Sequence, residues 1–547
     1  MVFVKERQIY EYASVKECLA RTGRPPVGTK WVDTNKGDDQ NPQYRSRLVA
    51  TEVRKPWSDK WFAATPPLEA LRLLATLAAR GNPKTGRPRR ILLLDVSRAH
   101  WYPDATREVY VRLPPEDPRA GEPDVCGRLE RSMYGALDAA QRWADHYTKI
   151  LIEAGFLKGS ASPCHFYHPL RDVALLVHGD DFVAEADDED LKWTEELLKK
   201  HYKCKSITIG PGAADEREGR ILGRIIRYES WGIQYEPDPV HAEMVIRELG
   251  LEDARPVATP LSDPARHDEA GNLNERRRAV GSQKDRPLEI PAEPVLPDPE
   301  SPLLEGDRLK RYQSVAARVN YLALDRPDIQ YASKELMRKM AAPTEFDEIK
   351  LKRVGRYLRG CPRLVLKIPW SSAPGRLVIF VDSDFAGCST TRKSTSGGAI
   401  MWNGICLKSW AKTQPTIALS SGEAELAAVV RGAAEGLGMT SVIRDFGMEV
   451  SLHMRSDATA AIGIVGREGL GKVRHLATAD LWVQQRVKQR QLSVEKWPGP
   501  ENPADVGTKG LSREAIDRHV VALGFAAVAG RAAAAPEMKA GAGRTST

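Results

Sequence analysis

Two β-rich runs, Val173 to Val177 and Phe182 to Ala186, are joined by the tetrapeptide His178-Gly179-Asp180-Asp181. A Gly-Asp step between such runs predicts a tight β-hairpin. Adjacent carboxylates at its tip repel each other, and a bound cation relieves the repulsion. A second apolar run, Ile91 to Leu94, reads as a buried strand that ends at Asp95. A carboxylate there is costly unless something cationic meets it. Each feature has an ordinary reading: Gly-Asp turns occur in hairpins of every kind, and a strand-terminal Asp often caps a helix or bonds a loop. Together they fit in-line phosphoryl transfer, which uses carboxylates at strand ends and turns to hold two divalent cations.

The chain has 547 residues, too many for a single core, and its 42% hydrophobic content supplies two or three. Its formal charge of +8 comes from 81 basic and 73 acidic residues spread along the sequence. Such a surface suits a polyanion, although many proteins without one carry a similar excess. Seven cysteines, Cys18, Cys126, Cys164, Cys204, Cys361, Cys388 and Cys406, show no zinc-ligand spacing. They point to a reducing compartment. The amino terminus has no apolar stretch of signal-peptide length, and no run approaches the roughly 20 apolar residues of a membrane helix. The expectation is a soluble intracellular protein of the cytoplasm, the nucleus or both, with no membrane partner.

Residues 1–260 alternate β-rich runs with helical patterns, an α/β or α+β domain. Residues 261–309 are rich in Pro, Asp, Glu and Arg and read as a linker or exposed insertion. Residues 310–370 carry apolar positions at helical spacing, a connecting helical segment. Residues 371–515 form a second α/β domain, and residues 516–547 read as an Ala/Gly-rich disordered tail.

The second domain offers its own carboxylates. The strand LVIFV runs into Asp382, the helix SSGEAELAAVVRGAAEGLG carries Glu425, the strand SLHMRS ends at Asp457, and the turn NPADVGTKG carries Asp505. Two-metal hydrolysis of a phosphodiester needs such acids converging from different elements. Taken singly, Asp382 and Asp384 could solubilise a turn, Glu423 and Glu425 favour a helix start, and Asp457 could cap the ATAAIG helix.

The ordered blocks KWVDTNKGDD, YRSRLVA, LLDVSRAHWYPDATREVYVRLPP, LERSMYGALDAAQRW, SPCHFY, HGDDF, ILGRII and HAEMVIRELGL resemble the copia-type reverse transcriptase over residues 28–260. VDSDFAGC through SSGEAELAA, RSDATAAIG, VRHLATADLWVQ and NPADVGTKGL resemble the copia-type ribonuclease H, with YLALDRPDIQYASKELMRKMAAPT and KRVGRYLRG similar to the connecting segment. The resemblance implies a right-hand polymerase with palm, fingers and a thumb-like part, followed by a ribonuclease H-like α/β domain. It implies that Asp95, Asp180 and Asp181 hold the polymerase metals, and that Asp382, Glu425, Asp457 and Asp505 hold those of the nuclease. The metals are Mg2+ or Mn2+, two per site. Arg45 and Arg47 fall in the fingers block and suit the triphosphate; a solvated basic strand edge is the plain alternative for either.

Implied partners are an RNA template, a DNA primer, dNTPs and an RNA:DNA hybrid, with integrase and capsid protein as polyprotein neighbours. Some positions depart from the family pattern. His100, followed by Trp101, stands where the family has an aromatic residue that discriminates between sugars. Asp138 and Ala140 replace Gln and Pro, and the turn opens with His178. Glu495 stands where some ribonucleases H have a histidine. The stretch KVRHLATADLWVQQRVKQRQLSVEKW interleaves basic and aromatic residues as a phosphate-backbone surface does, or as any solvated amphipathic helix does. The competing reading is a catalytically decayed remnant that only binds nucleic acid.

Overall fold

The computed structural model describes residues 2–35, 44–53, 61–82, 86, 89–261, 301–371, 375–469, 471 and 481–536. Its centre is a six-stranded antiparallel sheet in the order Cys204–Ile209, Arg90–Val96, Asp181–Ala186, Val173–His178, His165–His168, Leu157–Lys158. The apolar runs read from the sequence are its middle strands, and they are apolar throughout because both faces are covered. Leu92, Leu94, Val96, Phe182 and Ala184 pack with Trp143 and Tyr147 of the helix Ala139–Glu153 and Leu191 and Leu198 of the helix Asp188–His201. Ile91, Leu93 and Val183 face the opposite way, onto the helix Glu69–Arg80. Strand side chains alternate, so Asp95 and Asp181 lie on this second face.

Around this sheet stand a three-stranded sheet built on Tyr10–Ser14 and Val125–Leu129, and the ribbon Thr29–Asn35 with Tyr44–Ala50. A five-stranded antiparallel sheet follows, ordered Glu218–Ile221, Arg224–Glu229, Gly232–Pro237, Leu364–Pro369, Phe525–Ala527. The helices Val240–Glu248, Gly306–Ala323, Pro327–Met337 and Glu345–Gly360 share one core.

The last unit is a mixed five-stranded sheet ordered Ile405–Thr413, Thr395–Trp402, Leu377–Ser383, Leu452–Ser456, Ser493–Lys496. Its first three strands form an antiparallel meander, and the last two run parallel to the central strand. The return is made by the 25-residue helix Ser421–Asp445. Ser420 caps this helix by accepting a hydrogen bond from the Glu423 amide at 3.3 Å.

Several sequence-based boundaries need correction. Residues 516–527 are not tail: the helix Arg513–Ala522 and the strand Phe525–Ala527 bury Ile516, Val520, Leu523 and Phe525 in the main core. Their alanine-rich surroundings hid four core positions. Helix begins at Gly306, inside the span read as linker, and residues 262–300 of that span lie outside the described residues. The connecting segment is not purely helical either, since its strand Leu364–Pro369 pairs with Gly232–Pro237. By length and apolarity alone the helix Ser421–Asp445 is capable of crossing a membrane, against the expectation that no such run exists. It packs instead as a core helix, with Leu426, Val429, Ala433 and Ile443 against Ile379, Val381 and Met454. Residues 472–480 of the basic-aromatic stretch lie outside the described residues, and a helix covers Trp482–Lys488.

Candidate active sites

The hairpin at Gly179-Asp180 turns tightly because Gly179 takes φ +63°, a left-handed conformation open to glycine, while Asp180 keeps negative φ. The turn is held from below: the Trp143 indole donates to the Gly179 carbonyl at 2.6 Å, and the Val96 amide donates to the Asp180 carbonyl at 2.9 Å. Asp181 is registered directly opposite Asp95, and Asp95 directly opposite Lys205 on the next strand. Directly opposed residues share a face, so acid, acid and lysine form one row across the sheet. Burial first, then repulsion from Asp180 and Asp95, pushes the Asp181 carboxyl up to about 7. An Asp181 carboxyl this unfavourable as an anion suits the role of oxygen ligand for a hard divalent cation, although the oxygens of Asp95, Asp180 and Asp181 do not all gather within 4.8 Å of one another.

Beside Asp180 the His100 ring stacks on Tyr134, with centroids 4.6 Å apart. The Arg47 guanidinium lies 5.9 Å from the Tyr134 ring centre. His100 is held below the usual histidine range, mainly by burial, with Arg47 adding to the effect and Asp180 opposing it. Its Nδ1 is buried without a hydrogen-bond partner among the described residues. Arg45 and Arg47 both act electrostatically on Tyr134, as does Asp180. The fold thus gathers Arg45, Arg47 and His100 at the hairpin tip, together with Tyr134. Asp138 is not part of this group. It is buried and accepts from Arg107 at 2.7 Å, while Arg107 also grips Glu52 in two hydrogen bonds of 3.0 and 2.9 Å. The acid at that position is therefore a satisfied ion pair.

The four acids of the second unit converge. Asp382 ends the central strand, Glu425 lies in the first turns of the long helix, Asp457 follows the strand Leu452–Ser456, and Asp505 sits in the 3-10 helix Pro503–Gly507. Ligand oxygens of Asp382, Glu425 and Asp457 lie within 4.8 Å of one another, the one such three-residue group among the described residues. Asp505 lies near enough to Asp382 to raise its carboxyl, and forms a 3.0 Å ion pair with Lys509. Asp457 does not cap the following helix, whose N-cap is Ala458 with no side-chain cap bond.

Burial, then Asp505 and Glu425, raise the Asp382 carboxyl well above its ordinary value, while a 2.6 Å bond from the Thr508 hydroxyl opposes the rise. Burial and Asp457 push Glu425 up to about 7. One Glu425 oxygen accepts from the Ser383 amide at 3.3 Å, and the other is buried without a hydrogen-bond partner among the described residues. An all-oxygen set with an orphaned carboxylate oxygen fits a divalent metal.

Sequence reasoning missed Lys205, Tyr134, Trp143, Thr508 and Lys509. Only Thr508 and Lys509, three and four residues beyond Asp505, stood close enough in the chain to be noticed. Glu495 pairs with Arg455 at 2.6 Å, and that guanidinium lies over Trp497 at 3.9 Å.

Residues 14–263 match the family model described as reverse transcriptase (RNA-dependent DNA polymerase). The chain is 24% identical over 511 residues to the retrovirus-related Pol polyprotein from transposon TNT 1-94 of Nicotiana tabacum, covering 90% of this chain and 35% of that protein. It is 35% identical over 196 residues to the uncharacterized mitochondrial protein AtMg00810 of Arabidopsis thaliana, covering 36% of this chain and 68% of that one. Among solved structures it is similar to the foamy viral protease-reverse transcriptase dRH in complex with ds DNA. The TM-score is 0.51 at 11% identity, over 90% of this chain and 68% of the other, a likeness of fold. The chain spans about a third of the length of the plant transposon polyproteins it matches, 31 to 35%. It belongs to the copia-type reverse transcriptase family.

Proposed function

We propose that the chain is an RNA-directed DNA polymerase joined to an endonuclease for RNA:DNA hybrids, each acting through its own carboxylate cluster. The observation that carries the reading is the presence of two separate acid groups on two different sheets, one on a hairpin tip and one at a sheet end. In this reading the six-stranded sheet is the palm, the ribbon Thr29–Asn35 and Tyr44–Ala50 belongs to the fingers, and the mixed sheet from Leu377 is a ribonuclease H-like domain. Its order, a meander followed by two parallel strands with a helix crossover, supports that assignment.

At the first site Asp95, Asp180 and Asp181 would hold Mg2+ or Mn2+; at the second Asp382, Glu425, Asp457 and Asp505 would. Bound divalent ions would supply Lewis-acid activation of the attacking oxygen and neutralise charge on the phosphoryl oxygens. The protein's own groups do the rest. Arg45 and Arg47 are cations suited to the triphosphate, and Lys205 sits beside Asp95 where a primer phosphate can pair with it. Trp143 and the Val96 amide fix the hairpin against movement. The stacked His100 and Tyr134 wall the space next to Asp180, where the sugar of an incoming nucleotide fits. At the second site Thr508 orients Asp382 and the Ser383 amide orients Glu425.

Substrates are an RNA template, a DNA primer, dNTPs and the resulting hybrid, within a polyprotein that includes integrase and capsid protein. The test is extension of a DNA primer on an RNA template in Mg2+ or Mn2+. Incorporation of dNTPs supports the polymerase, and binding without incorporation establishes the decayed remnant in its place.

A further inference from the structure

The helix that carries Glu425 near its start ends on Asp445. A carboxylate at a helix C-terminus opposes the macrodipole, yet the Asp445 side chain is buried, 2% exposed. Among the described residues, its hydrogen-bond partners all come from the segment 160–165 in the other half of the molecule. The amides of Ser160, Ala161 and Ser162 donate to it at 2.8, 3.1 and 2.9 Å, the Ser160 hydroxyl at 3.3 Å, and His165 Nδ1 lies at 3.1 Å. Two glycines allow this close fit. A Cβ on Gly159 would stand 2.5 Å from the Asp445 carboxylate, and one on Gly447 would stand 2.3 Å from the Tyr167 ring. Phe446 packs on the His165 ring at 4.8 Å.

The socket is continuous with the first carboxylate site. His165 opens a strand paired through Leu176 to Val173–His178, and that strand pairs to the one that begins at Asp181. Glu425 and Asp445 are 20 positions apart in one helix, about 30 Å at 1.5 Å per residue. Sheet, socket and helix therefore form an unbroken path from Asp181 to Glu425. Lys408 braces it by pairing with Glu69 at 2.5 Å and Glu435 at 3.0 Å.

We infer that Asp445 is a positioning residue whose socket on the central sheet makes the long helix a strut of fixed length between the two carboxylate clusters. The strut sets the number of base pairs between the primer 3′ end and the point of RNA cleavage. This rests on the two-activity reading given above.

The experiment uses end-labelled RNA annealed to a DNA primer with a recessed 3′ end, and maps cuts by the full chain and by Asp445→Ala. A hybrid without a recessed end measures cleavage that does not depend on the primer terminus. The native chain is expected to cut in a narrow band at one distance from the 3′ end. Asp445→Ala should spread that band over several nucleotides, with primer extension and end-independent cleavage within about twofold of native. Asp445→Asn, which keeps the side-chain volume, gives the same reading in milder form if the alanine variant does not fold. An unchanged narrow band in a folded variant overturns the strut and leaves the nuclease reading standing. Absence of any cutting by a native chain that extends primers overturns both.

Discussion

Asp181 faces Asp95 across an antiparallel strand pair, and no residue stands between these two half-buried acids. The pairing register of these two strands alone decides that both project from one face of the sheet. A slip by one residue would send one of them into the core on the other side.

The strain of this pairing is measurable. A carboxyl raised to about 7 is protonated with ease in the folded chain, whereas in the unfolded chain it ionises near pH 4. The folded state then binds the extra proton between those values, so stability falls as pH rises from about 4 to 7. Asp181→Asn removes this penalty and should raise stability at pH 8 by about 1 kcal/mol after allowance for solvent screening, with no gain at pH 4. It should also abolish polymerisation, and thermal melts at the two pH values check the first claim.

Cation uptake by the second cluster must expel protons. Glu425 titrates near 7 and Asp382 is raised by burial and by Asp505. Apparent Mn2+ affinity should therefore weaken steadily below pH 7, with proton release on binding. Titration calorimetry in buffers of different ionisation enthalpy measures both, and pH-independent binding would contradict the assignment.

Lys509 is the cluster's built-in counter-cation, 3.0 Å from Asp505. Lys509→Met leaves the acids with one more uncompensated charge. Divalent affinity should rise by about 1 kcal/mol, roughly fivefold, while the metal-free chain becomes less stable. A fall in Mn2+ affinity, read by electron paramagnetic resonance, would show that Lys509 organises the ligands and does not compete with the metal.

Asp325 lies between two buried guanidinium groups, 2.6 Å from Arg72 and 2.8 Å from Arg224. Asp325→Ala strands both cations away from water and should cost about 3 to 5 kcal/mol in urea unfolding. Arg513→Ala removes a 2.7 Å ion pair with Asp517 that is solvent-exposed on both sides, and it should cost under about 1 kcal/mol.

Much of the candidate sites was legible in the sequence. Asp95, Asp180 and Asp181 announce themselves because a polar residue ending a short apolar run is anomalous, and the hairpin signal is local. Asp382, Glu425, Asp457 and Asp505 sit in recognisable strand, helix and turn contexts. What the sequence hid depends on long-range pairing. Lys205 is aligned with Asp95 by the strand register, across more than a hundred residues of chain. His100 and Tyr134 meet only in the folded state. Asp138 looked like a loss at a nucleotide-facing position, but Arg107 and Glu52 are what face it. The helix and strand at residues 513–527 were obscured by flanking alanines whose composition carries no periodic signal.

If two separate carboxylate clusters serve two reactions, each reaction fails on its own when its own cluster is changed. RNA-templated primer extension and RNA:DNA hybrid cleavage are measured side by side in Mn2+ for the native chain, Asp181→Asn and Asp382→Asn. Asp181→Asn is expected to lose extension and keep cleavage, and Asp382→Asn to keep extension and lose cleavage. Loss of both activities in either folded variant, or of neither, would contradict the assignment of one cluster to each reaction.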